Sequence, residues 1–333
     1  MKKFKIGIIG FGLIGKKRFN NLGKEGELVA YCDLKETKQY FKSNVKNKIS
    51  FYKSWKNLIN IGLVDIIIIS TYHNQLSKIV AYASKKGKHI LVEKPAATNL
   101  IDLKINIDIQ KKYKNKIRVG FNHRYHNAIK MCQEIIKKKS LGKLMFIKSS
   151  YGHGARLNYQ NEWRMKPKIS GGGELIDQGS HLIDLSIMFL GKVKSIKSVL
   201  DTLFWKTNVD DNAFLIFKFE NNTTAFLHAS CTEWKNNFLF EIYGEKGKLR
   251  IEGKGGSYGR EKLIFYKMKK KMGVPKKKVW VFSKNDSSWR NEIKELYKDI
   301  RLNRDPNPGL KDAYEVLKII KKIYRDNHYD NCS

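Results

Sequence analysis

Lys5-Ile6-Gly7-Ile8-Ile9-Gly10-Phe11-Gly12-Leu13-Ile14-Gly15 is the stretch that decides the fold. A short apolar run ends in a GxGxxG, and residues 14–21 after it keep helical spacing. A strand that turns on glycines into a helix is built to cradle a phosphate. The first glycine permits the sharp turn, the second lets a pyrophosphate approach the backbone, and the third lets helix and strand pack closely, with the anion at the helix N-terminus. Gly10, Phe11, Gly12, Leu13, Ile14 and Gly15 are therefore the first candidates for cofactor contact. Asp33 ends the next apolar run, where a carboxylate can accept hydrogen bonds from both ribose hydroxyls of an adenosine and repel a 2'-phosphate. NAD is the expected cofactor, NADP the less favoured one.

Outward from this turn, apolar runs at 5–9, 28–32, 64–69, 89–92 and 117–121 alternate with helical spacing at 14–21, 75–86 and 100–114. Near-continuous apolar strands joined by helical crossovers predict a parallel, doubly wound sheet covered on both faces. After Asn122 the character changes. A helix over 127–138 leads to a strand over 144–151 and a polar loop, and a glycine cluster opens a helix over 174–190. Strand-like runs follow at 193–204, 213–219, 224–230, 238–243 and 248–252, several joined by short turns, and helices at 289–301 and 310–324 flank a Pro/Gly break. The chain reads as a doubly wound dinucleotide-binding domain over 1–122 and an α/β domain over 123–333 with a mainly antiparallel open sheet.

Glu93-Lys94-Pro95 follows a predicted strand, which puts Lys94 at the carboxyl edge of the sheet, where doubly wound folds hold ligands. Beside a nicotinamide and a hydroxyl, an ammonium can position the alcohol and stabilise charge on its oxygen; in isolation it is a solvated charge. The second constellation is Gly171-Gly172-Gly173-Glu174-Leu175-Ile176-Asp177-Gln178-Gly179-Ser180-His181-Leu182-Ile183-Asp184. On a helix, Asp177 and His181 are four apart and share a face, so a carboxylate can orient a general acid/base imidazole. The plainer reading is a helix-internal ion pair, with Asp184 facing solvent or capping a turn.

Taken together, GFGLIG, EKPAA and GGGELIDQGSHLIDL in this order and spacing resemble the Gfo/Idh/MocA family, over nearly the whole chain. The resemblance implies an N-terminal NAD-binding Rossmann domain, here 1–122, and a second α/β domain, here 123–333, that serves substrate binding and oligomerisation and whose open sheet commonly makes dimer contacts. It implies that Lys94 touches both nicotinamide and substrate, that His181 is the acid/base, and that Asp177 binds substrate and supports the histidine. Ser70, Thr71 and His73 correspond to the family's cofactor-facing segment, with Tyr72 and His73 replacing its Pro and Asn; Glu93 joins the cofactor set. Asn122, Arg124, His153, Arg156, Trp163 and Arg164 lie in stretches that look like a sugar-handling branch. Arg156 and Arg164 suit an anionic group, or equally a structural ion pair. His123 and His126 invite a metal reading, but no acidic or cysteine partner lies near in sequence, and no metal is expected.

The composition of the 333 residues, 41% hydrophobic and 29% charged with five prolines, suits a soluble globular protein of about two domains and fits collagen-like, disordered and integral-membrane classes poorly. Lys+Arg 66 against Asp+Glu 31 gives a formal +35, spread along the chain beside abundant Asn and Ile as AT-rich coding produces. The one dense basic segment, 267–278, has no interleaved aromatics and reads as a solvated hairpin rim, so no nucleic-acid or membrane partner is expected. Cys32, Cys132, Cys231 and Cys332 form no CxxC, which suits reduced thiols in a cytoplasmic protein. The basic, apolar start mimics a signal peptide, but Lys16, Lys17 and Arg18 stand where a cleavage site belongs.

The expected activity is hydride transfer between NAD and a secondary alcohol of a sugar, nucleotide sugar or cyclitol, in a homodimer or homotetramer. Alternatives within the resemblance are an NAD-dependent glycosidase and a non-catalytic nucleotide-sensing regulator.

Overall fold

The computed structural model describes residues 3–41 and 49–332. Six strands make the first sheet: β1 (Phe4–Ile9), β2 (Gly26–Cys32), β3 (Ser50–Tyr52), β4 (Ile66–Ile69), β5 (His89–Val92) and β6 (Ile117–Val119). Every pairing is parallel and the order is β3-β2-β1-β4-β5-β6. Ile66, Ile67, Ile68 and Ile69 are all fully buried, as a central strand covered on both faces requires. The sequence reading has no place for β3, a three-residue edge strand too short to show a period.

The chain divides into two compact units, residues 1–121 with 289–317, and residues 122–288 with 318–333. The expected boundary near 122 kept everything after it in one domain. Instead, the helix Ser288–Arg301 supplies Ile293, Leu296 and Tyr297 to the core of the first unit, beside Ile6, Leu28 and Tyr31. Charge reinforces this return. The fully buried Arg118 of β6 pairs with Asp299, and its Nη1 donates to the Asn307 carbonyl at 2.8 Å.

The second unit is built on eight strands: β7 (Leu144–Gly152), β8 (Val193–Asp201), β9 (Asn212–Phe219), β10 (Thr224–Ser230), β11 (Asn237–Gly244), β12 (Gly247–Glu252), β13 (Lys262–Lys267) and β14 (Lys276–Val281). Their order is β14-β13-β12-β11-β7-β10-β9-β8, antiparallel throughout except that β10 runs parallel to β7. One face is a core of Ile147, Leu215, Phe217, Ala225, Leu227 and Phe240, against which the helix Ser180–Leu190 packs on β7 and β10. Where a strand was expected to run to Phe204, β8 stops at Asp201, because the amides of Leu203, Phe204 and Trp205 donate to the Asp211 carboxylate at 2.8, 2.8 and 3.0 Å. A backbone bent around one carboxylate cannot continue a ladder.

Candidate functional site

In the first unit the glycine turn joins β1 to the helix Leu13–Asn20 at the point where strand order reverses between β1 and β4. Its three glycines do different things. Gly10 adopts φ +84°, and a Cβ there would sit 2.5 Å from the Ser70 carbonyl oxygen. A Cβ on Gly15 would lie 2.0 Å from the Gly10 carbonyl oxygen. Gly12, by contrast, would meet nothing within 4 Å. Folding alone thus demands glycine at 10 and 15, whereas at 12 the backbone borders open space at the helix N-terminus, which leaves room for a pyrophosphate to approach it.

The groups around this turn come from the carboxyl ends of neighbouring strands. The Asp33 carboxylate accepts the Phe11 amide and its own neighbour Leu34's amide, both at 2.6 Å. The Ser70 hydroxyl donates to the Gly10 carbonyl at 2.7 Å. Thr71 is half-buried and His73, at the start of the helix His73–Lys85, is buried. Leu13 is exposed and Ile14 half-buried. Lys94 follows β5 and is half-buried.

Two expected cofactor contacts find other employment. The Phe11 ring is buried among Phe19, Tyr31, Tyr40 and Phe41, with centroids 4.9–6.1 Å away, so only its backbone faces the turn. Glu93 accepts from Arg18 Nε at 2.7 Å, and the same buried guanidinium reaches Glu292 at 2.5 Å under the Trp289 ring. Gly120 is the wall of this triad: a Cβ there would come within 2.9 Å of both Arg18 and Glu93. Burial pushes the Glu292 carboxyl up to about 7, with the Glu93 charge adding to it and Arg18 opposing.

In the second unit the glycine cluster enters its helix at a fixed height. A Cβ on Gly173 would lie 2.0 Å from the Asp210 carbonyl oxygen. The Asp210 carboxylate accepts the Gly173 and Leu175 amides at 3.0 and 2.6 Å and the Tyr324 hydroxyl at 2.8 Å, capping the helix from a distant strand end. Burial outweighs these donors and lifts the Asp210 carboxyl to about 6. Residues Leu175–Gly179 then form a π-helical turn before the α-helix Ser180–Leu190 begins. This corrects the expectation of a plain α-helix from 174, since a wider turn rotates Asp177 relative to His181.

Asp177 accepts from Arg164 Nε at 3.1 Å, and Arg164 also lies over the Trp163 ring at 4.6 Å. His181 is buried, its ring stacked on His123 with centroids 3.9 Å apart and planes 16° apart. His123 in turn meets His126 at 5.4 Å and Tyr151 at 5.0 Å. His126 Nδ1 lies 3.3 Å from Glu261, which also accepts the Ala128 amide at the start of the helix Asn127–Lys137.

His153 accepts the Ala155 amide on Nδ1 at 3.0 Å, which leaves its proton on Nε2, 3.6 Å from the fully buried Glu174. Burial, aided by Arg164, Arg156 and Lys254 and opposed by Asp177, lowers its pKa and keeps it a neutral ring.

Other expected substrate residues are engaged locally. Arg124 holds Asp184 through two bonds, at 2.8 and 2.5 Å; Asp184 is buried rather than solvent-facing. Asn122 donates to Ser288 at 2.8 Å. Arg156 is largely exposed and pairs with Glu162 at 2.6 Å. Sequence reasoning missed Glu174, Asp210, Lys254 and Tyr258. Lys254 lies 4.0 Å over the Tyr258 ring and 4.9 Å over Tyr151. Among the described residues no group of three His, Cys, Asp or Glu could hold a metal ion.

Comparisons agree with this architecture. Residues 4–121 match a family described as an oxidoreductase family with an NAD-binding Rossmann fold, and residues 129–250 match the GFO/IDH/MocA C-terminal domain. Glucose-6-phosphate 3-dehydrogenase of Bacillus subtilis is 30% identical over 74% of this chain and 73% of its own length. Myo-inositol 2-dehydrogenase of Thermotoga maritima is 26% identical over 74% of each. Levoglucosan dehydrogenase of Pseudarthrobacter phenanthrenivorans is 24% identical over 59% of this chain, which spans 57% of that relative's length. A solved levoglucosan dehydrogenase, in complex with NADH and levoglucosan, superposes with a TM-score of 0.87 at 20% identity over 98% of both chains.

Proposed function

The chain belongs to the Gfo/Idh/MocA oxidoreductases, whose NAD-binding Rossmann fold it carries, and from that premise we propose that it oxidises or reduces a secondary alcohol of a sugar, nucleotide sugar or cyclitol. The observation that carries the reading is the glycine turn at the β1–helix junction, where the Gly12 backbone is open to approach and Gly10 and Gly15 are closed by the protein's own backbone. Sugar and cyclitol dehydrogenases among the relatives support the substrate class.

In this proposal His181 is the acid/base for the substrate hydroxyl, and Lys94 contributes an ammonium that stabilises developing negative charge. Asp177, paired with Arg164, presents an acceptor to a neighbouring hydroxyl. Held at the glycine turn and beside Lys94, a bound nicotinamide would supply the hydride acceptor for the carbinol carbon, or the donor in the reverse direction. Asp33 selects NAD over NADP by accepting from ribose hydroxyls, and Ser70, Thr71 and His73 line the same strand edge. Arg156 and Trp163 border the substrate, with His153 a neutral hydrogen-bonding ring beside it. Val199, Ile216 and Phe226 stand half exposed on the helix-free face of the second sheet, and we assign that face to pairing between copies in a homodimer or homotetramer.

A spectrophotometric screen of NAD and NADP against sugars, nucleotide sugars and inositols tests the reading. Cofactor reduction that collapses in both Lys94→Ala and His181→Ala supports it. Wild-type rates in both variants would remove these residues from the chemistry.

A further inference from the structure

The hairpin β13–β14 ends the second sheet, and its residues 262–281 hold eight lysines and no acidic residue. The rung nearest its tip sets Lys267 directly opposite Lys276, and the next sets Tyr266 opposite Lys277. Like charges facing each other across strands destabilise the pairing. Lysines on an edge strand also guard it against joining another sheet, which accounts for Lys276, Lys277 and Lys278. That role does not extend to Lys269, Lys270 and Lys271 in the connecting loop. Nor does it explain the loop's apolar side chains, because Met268, Met272 and Val274 are 68%, 102% and 88% exposed. Cations ringing an uncovered apolar tip match a layer that is anionic outside and hydrocarbon beneath. Nucleic acid fits less well, since residues 268–275 contain no aromatic ring on which a base could stack.

Against the sequence expectation of a solvated rim without a membrane partner, we propose that this hairpin docks the protein on an anionic lipid surface, Met272 and Val274 entering the acyl boundary while the lysines lie among the headgroup phosphates. Neither half suffices alone: a few apolar side chains bind weakly, and the lysine field is screened within a Debye length. The hairpin thus carries two weak signals at one place.

The test is sedimentation of the 333-residue protein with vesicles of phosphatidylcholine alone and of phosphatidylcholine mixed with phosphatidylglycerol, at physiological ionic strength. The wild type is expected to bind only the mixed vesicles. The variants K269E/K270E/K271E and M272S/V274S should each weaken binding at least about tenfold. K104E/K112E/K114E makes the same charge change on and beside the exposed face of the helix Leu100–Tyr113 and should leave binding within about twofold. Matching circular dichroism spectra exclude unfolding as the cause. No binding by the wild type, or equal loss in the helix variant, overturns the proposal, the latter by showing only the field of the whole molecule. Unchanged binding by M272S/V274S with displacement by single-stranded RNA reassigns the hairpin to a polyanion. A change of oligomeric state in that variant assigns the tip to a second copy of the chain.

Discussion

The imidazoles of His123 and His181 lie face to face, 3.9 Å between centroids and 16° between planes, in a buried part of the second unit. A flat neighbour at that distance fixes the plane of the His181 ring. If His181 is the acid/base, its aim depends on that stack. His123→Phe is expected to keep kcat within about twofold, whereas His123→Leu, apolar but not planar, lowers kcat about tenfold with KM little changed. Equal kcat in both variants at equal melting temperature would show that the stack has no part in catalysis.

The glycine turn makes a prediction that separates folding from binding. Gly15→Ala forces a Cβ into the Gly10 carbonyl and should lower stability by about 2–3 kcal/mol or more, read as a melting temperature. Gly12→Ala meets no protein atom and should melt like the wild type, yet bind NADH at least about tenfold more weakly in a fluorescence titration. Undiminished NADH affinity in Gly12→Ala would take the pyrophosphate away from this turn.

Arg18 sits between two carboxylates, Glu93 and Glu292, in the interior of the first unit. Arg18→Met leaves them facing each other without a cation and should cost about 3–5 kcal/mol, recovered in part by adding Glu292→Gln. The carboxyl of Glu292 is raised from 4.5 to about 7, so the folded state holds a proton that the unfolded state releases across that interval. Its contribution to stability is therefore full below the lower value and is lost as pH rises through the higher one. Melting curves of the wild type should fall between those pH values by on the order of 2 kcal/mol relative to Glu292→Gln. Parallel curves would mean that Glu292 is ionised throughout.

Asp33 is expected to set cofactor choice. Asp33→Ser removes the carboxylate that would repel a 2'-phosphate, and the ratio of kcat/KM for NAD over NADP should fall by at least about tenfold. An unchanged ratio would move the discrimination elsewhere on the strand edge.

Residues close in sequence were legible because their effects are local. GFGLIG announces itself through backbone sterics, and the alternation of apolar runs with helical spacing announces the parallel sheet through the periods of strand and helix. The Pro/Gly-flanked C-terminal helices were visible too, but not that the first of them returns to the Rossmann core. Periodicity marks which face of a helix is apolar and says nothing of which sheet covers it.

What the amino-acid order settled by itself was the doubly wound unit, the glycine turn and the lysine and histidine motifs, all written in contiguous residues. Tertiary structure decided which partner each buried polar group meets. Arg18 finds Glu292 across 274 positions, Arg124 finds Asp184, Asp210 reaches back to cap the helix ahead of His181, and the π-turn reorients Asp177. A charge removed from water must be paired, and many distant residues could satisfy that demand; only the path of the folded backbone selects one.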